Sequence, residues 1–494
     1  MTGKNYFLSA LKNLFRHTFI YGLATVLPRV LTALLTRLYT GYLPDTDAFG
    51  EMTIVFSYIM IFNVLLTYGM ETAFFRFFND ERHTKKTLST SLLGLLGSTI
   101  LFVIIAFTGI DALSSISDVP AQYWRWVILV IAFDTLAVIP FAYMRAQNKS
   151  MRYALIKLLN VVISTGLSVV FLVWLPQLDS INSYLPTDKI ELAFIAFCIP
   201  SFLILLIVIK PYFTRWSFDT ILFKKMLAYG APVLIAGLAF AVNESFDKIL
   251  LEKLLPEDIA KGEVAIYGAC YKLSIGMTLF ATAFRIGIEP FFFSEAKNEN
   301  AQVMYAQITK AFVVLGSVAL FAYVVLVDVV KVILLDGEEY WEGMNIVPLI
   351  LVAYLFFGVY QTLSVWYKVT DKTRYGAYIS VAGALLTIVI NVLLIPKIGY
   401  LASAIATCAA YTLMMVTSYI MGRKHLAIPY DLKNILLYLV LSIALSSLYF
   451  YGFRDYFGVG SLRLYLVGAV MTVLLIGVIS FREKELLLRI LKRR

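Results

Sequence analysis

Long apolar runs constrain this chain more than any other feature of its sequence. A helix needs about 20 apolar residues to cross a bilayer, and about fourteen runs of that length follow one another along the chain. Their approximate centres are Arg29, Ile61, Ser98, Ala132, Ser164, Leu203, Leu238, Leu279, Ala319, Phe356, Leu386, Ala410, Val440 and Val470. Hydrophobic residues make up 60% of the chain, and its mean hydropathy is +0.81. The sequence therefore predicts an all-α polytopic membrane protein.

The residue types that usually form metal, haem or disulfide sites are few and scattered. The three cysteines are Cys198, Cys270 and Cys408, and the three histidines are His17, His83 and His425. The cysteines stand inside apolar runs and their number is odd, so no disulfide framework is expected. The histidines fall in polar stretches between runs, which predicts no zinc or haem site. We expect no cofactor. The chain starts without a cleavable signal pattern, which predicts that the first helix is retained.

Basic and acidic residues alternate between successive connections, and cytoplasmic loops collect Lys and Arg. The even connections carry Arg76, Arg82, Lys85 and Lys86; Arg145, Lys149 and Arg152; Lys210, Arg215, Lys224 and Lys225; Lys368, Lys372 and Arg374; and Arg423, Lys424 and Lys433. The odd connections carry Asp45, Asp47 and Glu51; Asp111 and Asp118; Asp179, Asp188 and Glu191; Glu257, Asp258 and Glu263; and Asp336, Glu338, Glu339 and Glu342. Both termini are therefore predicted to be cytoplasmic, with the tail "FREKELLLRILKRR" suited to anionic lipid headgroups. The net charge of +10 follows from this topology, so nucleic acid is not an expected partner.

The connections between runs are short. None exceeds about twenty residues, whereas a folded domain usually has about 50–250. A membrane enzyme of glycan assembly, such as a ligase or a polymerase, usually needs a large aqueous loop or domain for its catalytic groups. The sequence therefore favours transport over catalysis.

Two parts of the chain match each other. "FGEMTIVFSYIMIFNVLLTYGMETAFF" (Phe49 to Phe75) lies over "YGACYKLSIGMTLFATAFRIGIEPFFF" (Tyr267 to Phe293) at a constant offset. Further matches lie upstream, near Tyr21 and Tyr229, and downstream, at "RY" after the fourth helix of each half. We predict two parallel six-helix repeats, related by an axis along the membrane normal, with the substrate site between them.

The repeat gives a domain prediction. Residues 1–215 form the N-terminal six-helix half and residues 216–425 the C-terminal half. Residues 426–494 form two extra transmembrane helices and a basic cytoplasmic tail.

Three segments resemble a known family. They are "APVLIAGLAFAVNESFDKILLEKLL", the following "AIYGACYKL", and "NVLLIPKIGYLASAIATCAAY" (Asn391 to Tyr411). Together with the two halves and the extra pair, they resemble polysaccharide flippases of the multidrug/oligosaccharidyl-lipid/polysaccharide exporter superfamily. The resemblance implies movement of an undecaprenyl-diphosphate-linked oligosaccharide to the outer leaflet of a bacterial inner membrane, for O-antigen, capsule or exopolysaccharide.

Relatives within the superfamily supply alternative functions. Lipid II flippases and ion-coupled multidrug antiporters belong to the same superfamily, and the antiporters normally stop after twelve helices. From another class, a glycan ligase or polymerase is the alternative. The implied partners are the lipid-linked oligosaccharide, membrane lipids, a coupling proton or sodium ion, and glycan polymerase or assembly proteins.

Charged residues inside apolar runs are the candidate site residues. A charge at a helix centre costs about 2.5–3.5 kcal/mol on insertion scales, so it normally faces a partner or a wet cavity. Arg29, Asp134 and Lys272 lie near the predicted mid-depth. Arg29, Lys272 and Arg285 are the candidate contacts to a diphosphate, Arg29 beside the helix-bending Pro28. The alternative for Arg29 is an ion pair with Asp134.

Other acidic residues suggest gating or ion coupling. Glu244 and Asp247 lie beside Lys248 in the seventh run, as a local ion-pair network or as a site for a coupling ion. Glu71 and Glu289 occupy matching places in the repeat, each with a nearby cation, Arg76 or Arg285. These are either local helix-end pairs or cross-half pairs, Glu71 with Arg285 or Glu289 with Arg76, that form when the cytoplasmic side closes.

Overall fold

The structure is a computed structural model that describes residues 26–78, 84–147, 149–177, 186–213, 216–294 and 300–484. Within these ranges every regular element is a helix. Some predictions concern residues outside the described ranges. These residues are the first part of the chain, His17, His83 and most of the basic tail.

The helices follow the predicted runs. They are α1 (residues 26–42), α2 (Thr46–Phe78), α3 (Lys86–Thr108), α4 (Ala121–Ala146), α5 (Met151–Gln177), α6 (Lys189–Val208), α7 (Thr220–Leu254), α8 (Glu257–Lys272 and Ile275–Ser294), α9 (Ala301–Leu334), α10 (Glu338–Val369), α11 (Arg374–Ile398), α12 (Tyr400–His425), α13 (Leu432–Phe457) and α14 (Leu462–Arg482). In the described residues, twelve helices are long and apolar enough to cross a membrane, or thirteen with the bent α8 as one span. Every predicted centre lies in one of these helices. The prediction of a polytopic all-α membrane protein is confirmed.

Aspartates begin several of these helices. Asp45 accepts a hydrogen bond from the backbone N–H of Ala48 at 2.8 Å, and Asp188 accepts one from Ile190 at 2.8 Å. Asp219 accepts one from Leu222 at 3.0 Å, and this bond lowers the pKa of the Asp219 carboxyl. Asp and Asn caps satisfy amides that a helix start leaves unpaired. Acidic residues in these loops therefore contribute to helix boundaries as well as to charge bias.

Helix α2 breaks at Tyr68 and Gly69. Tyr68 has a φ of 34° and Gly69 a φ of 71°. A Cβ on Gly69 would lie 2.5 Å from the backbone oxygen of Gly230 in α7, so both the backbone conformation and the close approach of α7 require glycine here. Gly287, the repeat counterpart of Gly69, has open space within 4 Å of the position that a Cβ would occupy. The matched glycines therefore have different local roles.

The α8 helix is divided by a 47° bend between its two segments, Glu257–Lys272 and Ile275–Glu289. A second irregularity lies in α7, where Val242–Phe246 form a π-helical turn. Such turns often lie at functional sites. Both irregularities place charged residues, Lys272 and Glu244, where the regular helix is interrupted.

The chain packs as two compact units. The first comprises the described residues up to Gly268 together with Thr387–Ser403, and the second comprises Ala269–Leu386 and the described residues from Ala404 onward. In the first unit α2 lies directly on the first segment of α8, since a Cβ on Gly50 would be 2.0 Å from the Lys261 backbone oxygen. The three predicted domains remain a prediction.

In the second unit the extra helices α13 and α14 are joined to α9 by ion pairs. Near one end of α9, Asp328 accepts two bonds from Arg454, at 3.0 and 2.8 Å, and lies 3.1 Å from Lys331. Near the other end, Lys310 lies 2.9 Å from Asp431, before α13, and 2.6 Å from Glu483, after α14. The Lys310 bond holds the pKa of Asp431 below its usual range. Ion pairs near both ends of α9 therefore hold α13 and α14 to it.

Candidate functional site

The glutamate at the end of α2 has its ion-pair partner on α4. Arg145 Nη1 lies 2.6 Å from Glu71 Oε1, and the Arg145 guanidinium lies 4.9 Å from the centre of the Phe75 ring. Both charged side chains are more than a third exposed. Arg76, which the sequence offered as the local partner, has no ion pair among the described residues. Within the first unit, Glu71 therefore links the second helix to the fourth.

The matching glutamate makes the same kind of contact in the second unit. Lys368 Nζ lies 2.7 Å from Glu289 Oε1, and Lys368 stands at the end of α10, the fourth helix of its half. The repeat therefore preserves an ion pair between the second and fourth helices. In each unit the glutamate pairs with a cation on the fourth helix. The cross-half pairs stay a prediction.

Glu289 and Lys368 line a cleft with Arg285. The cleft lies between α8, α9 and α10 and is also lined by Gln361, Phe284 and Phe312. Arg285 is exposed and has no ion pair among the described residues. The side-chain oxygen of Gln361 is buried and has no hydrogen-bond partner among the described residues. The cleft thus combines a net positive charge with an available acceptor, which suits an anionic group that carries hydroxyls.

The three predicted mid-depth charges have different surroundings. Arg29 in α1 and Lys272 at the bend of α8 are both exposed, and each makes a further interaction. Asp134 in α4 is half-buried, faces the charge of Lys157 and has a hydrogen bond with Ser201. Lys157 also lies over the Phe141 ring at 4.4 Å. Lys157, which was not among the site residues predicted from sequence, is therefore a cation that interacts electrostatically with Asp134.

The α7 charges form a buried network. Asp247 is 0% exposed and Lys248 7%. Lys248 Nζ donates to Asp247 Oδ1 at 2.9 Å and to the backbone oxygen of Glu244 at 2.9 Å. The Tyr267 hydroxyl donates to the other oxygen of Asp247. Asp247 thus has partners on both oxygens, as expected for a structural ion pair, and Glu244 contributes its carbonyl.

Buried amides and hydroxyls extend this network to α11 and α12. Thr387 donates to the side-chain oxygen of Asn243 at 2.7 Å. Ser403 donates to Asn391 at 2.7 Å, and Asn391 donates to the backbone oxygen of Thr387 at 2.8 Å. These contacts include part of the "NVLLIPKIGYLASAIATCAAY" segment. They show why Thr387–Ser403 belongs to the first compact unit.

Sequence reasoning missed several of these residues. Arg145 and Lys368 entered the sequence analysis only as topology markers, although their places at the ends of the fourth helices match. Asp328 and Lys331, three residues apart within an apolar run, carried a usable signal, because charges inside a span usually pair. The described residues contain no group of three or more His, Cys, Asp or Glu suited to a metal ion.

Sequence comparisons place this chain among known proteins. A family model described as a polysaccharide biosynthesis protein matches residues 14–285, more than half of the chain. An uncharacterized membrane protein, YabM, of Bacillus subtilis (strain 168) is 24% identical over 196 residues, which cover 38% of this chain and 36% of that protein. The match thus spans little more than a third of the length of this relative.

Solved structures share the fold. A lipid II flippase, MurJ, in an inward closed conformation superposes with a TM-score of 0.75 at 15% identity, covering 95% of this chain and 100% of that one. A multidrug resistance MATE family transporter in an inward-facing conformation superposes with a TM-score of 0.60 at 14% identity, covering 83% and 97%. At such identities the likeness establishes the fold alone.

Proposed function

Because this chain belongs to the polysaccharide biosynthesis protein family, we propose that it is a flippase for a lipid-linked oligosaccharide. It moves an undecaprenyl-diphosphate-linked oligosaccharide from the cytoplasmic to the outer leaflet of a bacterial inner membrane. The movement proceeds by alternating access and supplies surface polysaccharide assembly. In this function the chain carries its substrate without chemical change.

The observation that carries the proposal is the extent of the fold likeness. The flippase structure covers all but about 5% of this chain, which is less than the length of α13 and α14 together. The likeness therefore includes at least part of the extra pair. The MATE transporter leaves about 17% of the chain uncovered, and antiporters of that kind normally stop after twelve helices. The extra pair is the feature that favours a lipid-linked substrate.

The cleft beside Arg285 supports a diphosphate contact. Arg285 and Lys368 supply two cations against the single carboxylate of Glu289. Arg binds phosphate through two parallel N–H bonds, whereas Lys acts as a point charge. Arg29 and Lys272 remain the other proposed substrate contacts.

Complementation tests the proposed function. In a bacterial strain that lacks its polysaccharide flippase, the wild-type chain should restore surface glycan and Arg285→Ala should not, at equal protein levels. Arg374→Ala is the matched control, since Arg374 is an exposed arginine at the start of α11 outside the cleft. Failure of the wild-type chain with several glycan types would contradict the proposal.

The lipid II alternative is tested in the same way. If the wild-type chain instead rescues a strain depleted of its lipid II flippase, the substrate is lipid II. Rescue of drug resistance alone would point to the antiporter function. The three outcomes separate the alternatives within the superfamily.

The proposed topology has its own test, based on the alternating basic and acidic connections. Reporter fusions after Glu339 should report an outer location and fusions after Lys372 a cytoplasmic one. If both report the same side, the assignment of cytoplasmic termini is wrong.

A further inference from the structure

An acidic side chain near the end of α7 is buried without a hydrogen-bond partner in the part of the chain that the structure describes. Glu252 is 9% exposed, and neither of its carboxylate oxygens has a hydrogen-bond partner among the described residues. Unpaired buried carboxylates are rare, because an isolated ionised carboxylate is strongly disfavoured in an apolar environment. Glu252 was not among the site residues expected from sequence, and the proposed substrate contacts do not include it.

The charged groups around Glu252 are two lysines and two other carboxylates. Glu51 of α2 lies 3.5 Å from Lys261 of the first α8 segment, and Glu51 Oε1 has no hydrogen bond within the described residues. Lys253, beside Glu252, is paired with Asp118. The groups that act electrostatically on Glu252 are Lys253, Asp118, Lys261, Glu51 and the Tyr58 hydroxyl. Once Lys253 is assigned to Asp118, Lys261 is the remaining cation in this set for Glu51 and Glu252.

Helix α2 packs closely against the first segment of α8 beside these side chains. Gly50 approaches the Lys261 backbone so closely that a Cβ there would lie 2.0 Å from its oxygen. A Cβ on Gly262 would lie 3.3 Å from the Asp47 carboxylate. The α2 and α8 backbones are therefore in direct contact beside the carboxylates. Because Glu252 is buried without a hydrogen-bond partner among the described residues, its ionised form is disfavoured. The charges of Asp118 and Glu51 disfavour it further, so Glu252 binds a proton.

We propose that Glu51, Glu252 and Lys261 form a proton-binding site, in which Glu252 holds one proton while α2, α7 and α8 are packed as in this structure. Glu51 remains ionised and paired with Lys261. When these helices separate, water reaches Glu252 and accepts the proton. The site holds a proton whichever substrate is transported, so its test does not depend on the proposed function.

Infrared difference spectroscopy of the full chain in lipid detects the protonated carboxyl directly. The carbonyl band of a protonated acid, which shifts in heavy water, should be present in the wild type and absent in Glu252→Gln. Glu257→Gln is the matched control, because Glu257 is an exposed glutamate at the start of α8. This control should retain the wild-type band.

Two further variants should change the carbonyl band in opposite directions. They keep the proposal testable if Glu252→Gln does not fold. Glu51→Gln frees Lys261 to pair with Glu252, so the band should disappear. Lys261→Met removes the shared cation, so both carboxyls should protonate and the band should grow. A wild-type band that is unchanged in Glu252→Gln, or retained in Glu51→Gln, would overturn the proposal.

Discussion

The ion pairs that join the extra helices to α9 should contribute measurably to stability. Asp328 is 6% exposed and Lys331 6%, and Asp328 receives two bonds from Arg454, at 3.0 and 2.8 Å. Asp328→Asn preserves the side-chain size but leaves the two cations without their carboxylate. Removing one partner of a buried ion pair costs about 3–5 kcal/mol. Because Asn retains one acceptor, we expect a loss of about 3 kcal/mol in the free energy of unfolding.

Reversible denaturant unfolding in mixed detergent micelles measures this loss. Asp455→Asn is the matched control, since Asp455 is an exposed neighbour of Arg454 and its neutralisation should change stability by less than about 0.5 kcal/mol. A double-mutant cycle with Arg454→Leu isolates the pair, and a coupling of about 1.5 kcal/mol or more is expected.

A small effect would refute this reasoning. If Asp328→Asn lowers stability no more than Asp455→Asn does, the buried carboxylate does not hold α13 to α9. If the effects of Asp328→Asn and Arg454→Leu are additive, the Asp328–Arg454 pair makes no net contribution to stability, and the extra helices are held by other contacts.

Three other predictions follow from single features. Gly69→Ala should lower the free energy of unfolding by about 1 kcal/mol or more, because φ is +71° and the backbone oxygen of Gly230 lies 2.5 Å from the Cβ position. Gly287→Ala should not lower it, because the Cβ position there has open space around it. In a stability cycle, Glu71→Gln and Arg145→Met should couple by about 0.2–1 kcal/mol, and no coupling would exclude the pair. The lowered pKa of Asp431 means that its ion pair contributes fully above the ordinary carboxyl range and is lost as pH falls through the lowered value. Melting temperatures should therefore fall less with acid in Asp431→Asn than in the wild type.

The fold class was predictable because hydropathy acts locally. A run of about 20 apolar residues specifies a spanning helix regardless of its neighbours, and each predicted centre lies in a helix of the structure. The repeat also carried information, since it marked Glu71 and Glu289 as equivalent. The bend of α8, which separates Lys272 from Ile275, was not predicted from the sequence.

Ion-pair partners were decided by tertiary structure. Sequence spacing suggests partners one turn away, so it offered Arg76 for Glu71 and Arg285 for Glu289. The observed partners, Arg145 and Lys368, are distant along the chain and come close only when the fourth helix packs beside the second. The unpaired state of Glu252 is likewise invisible in sequence, because burial and the loss of a partner depend on three helices at once. Hydropathy and charge bias along the chain thus determined which segments are helices, while helix packing determined which charges meet.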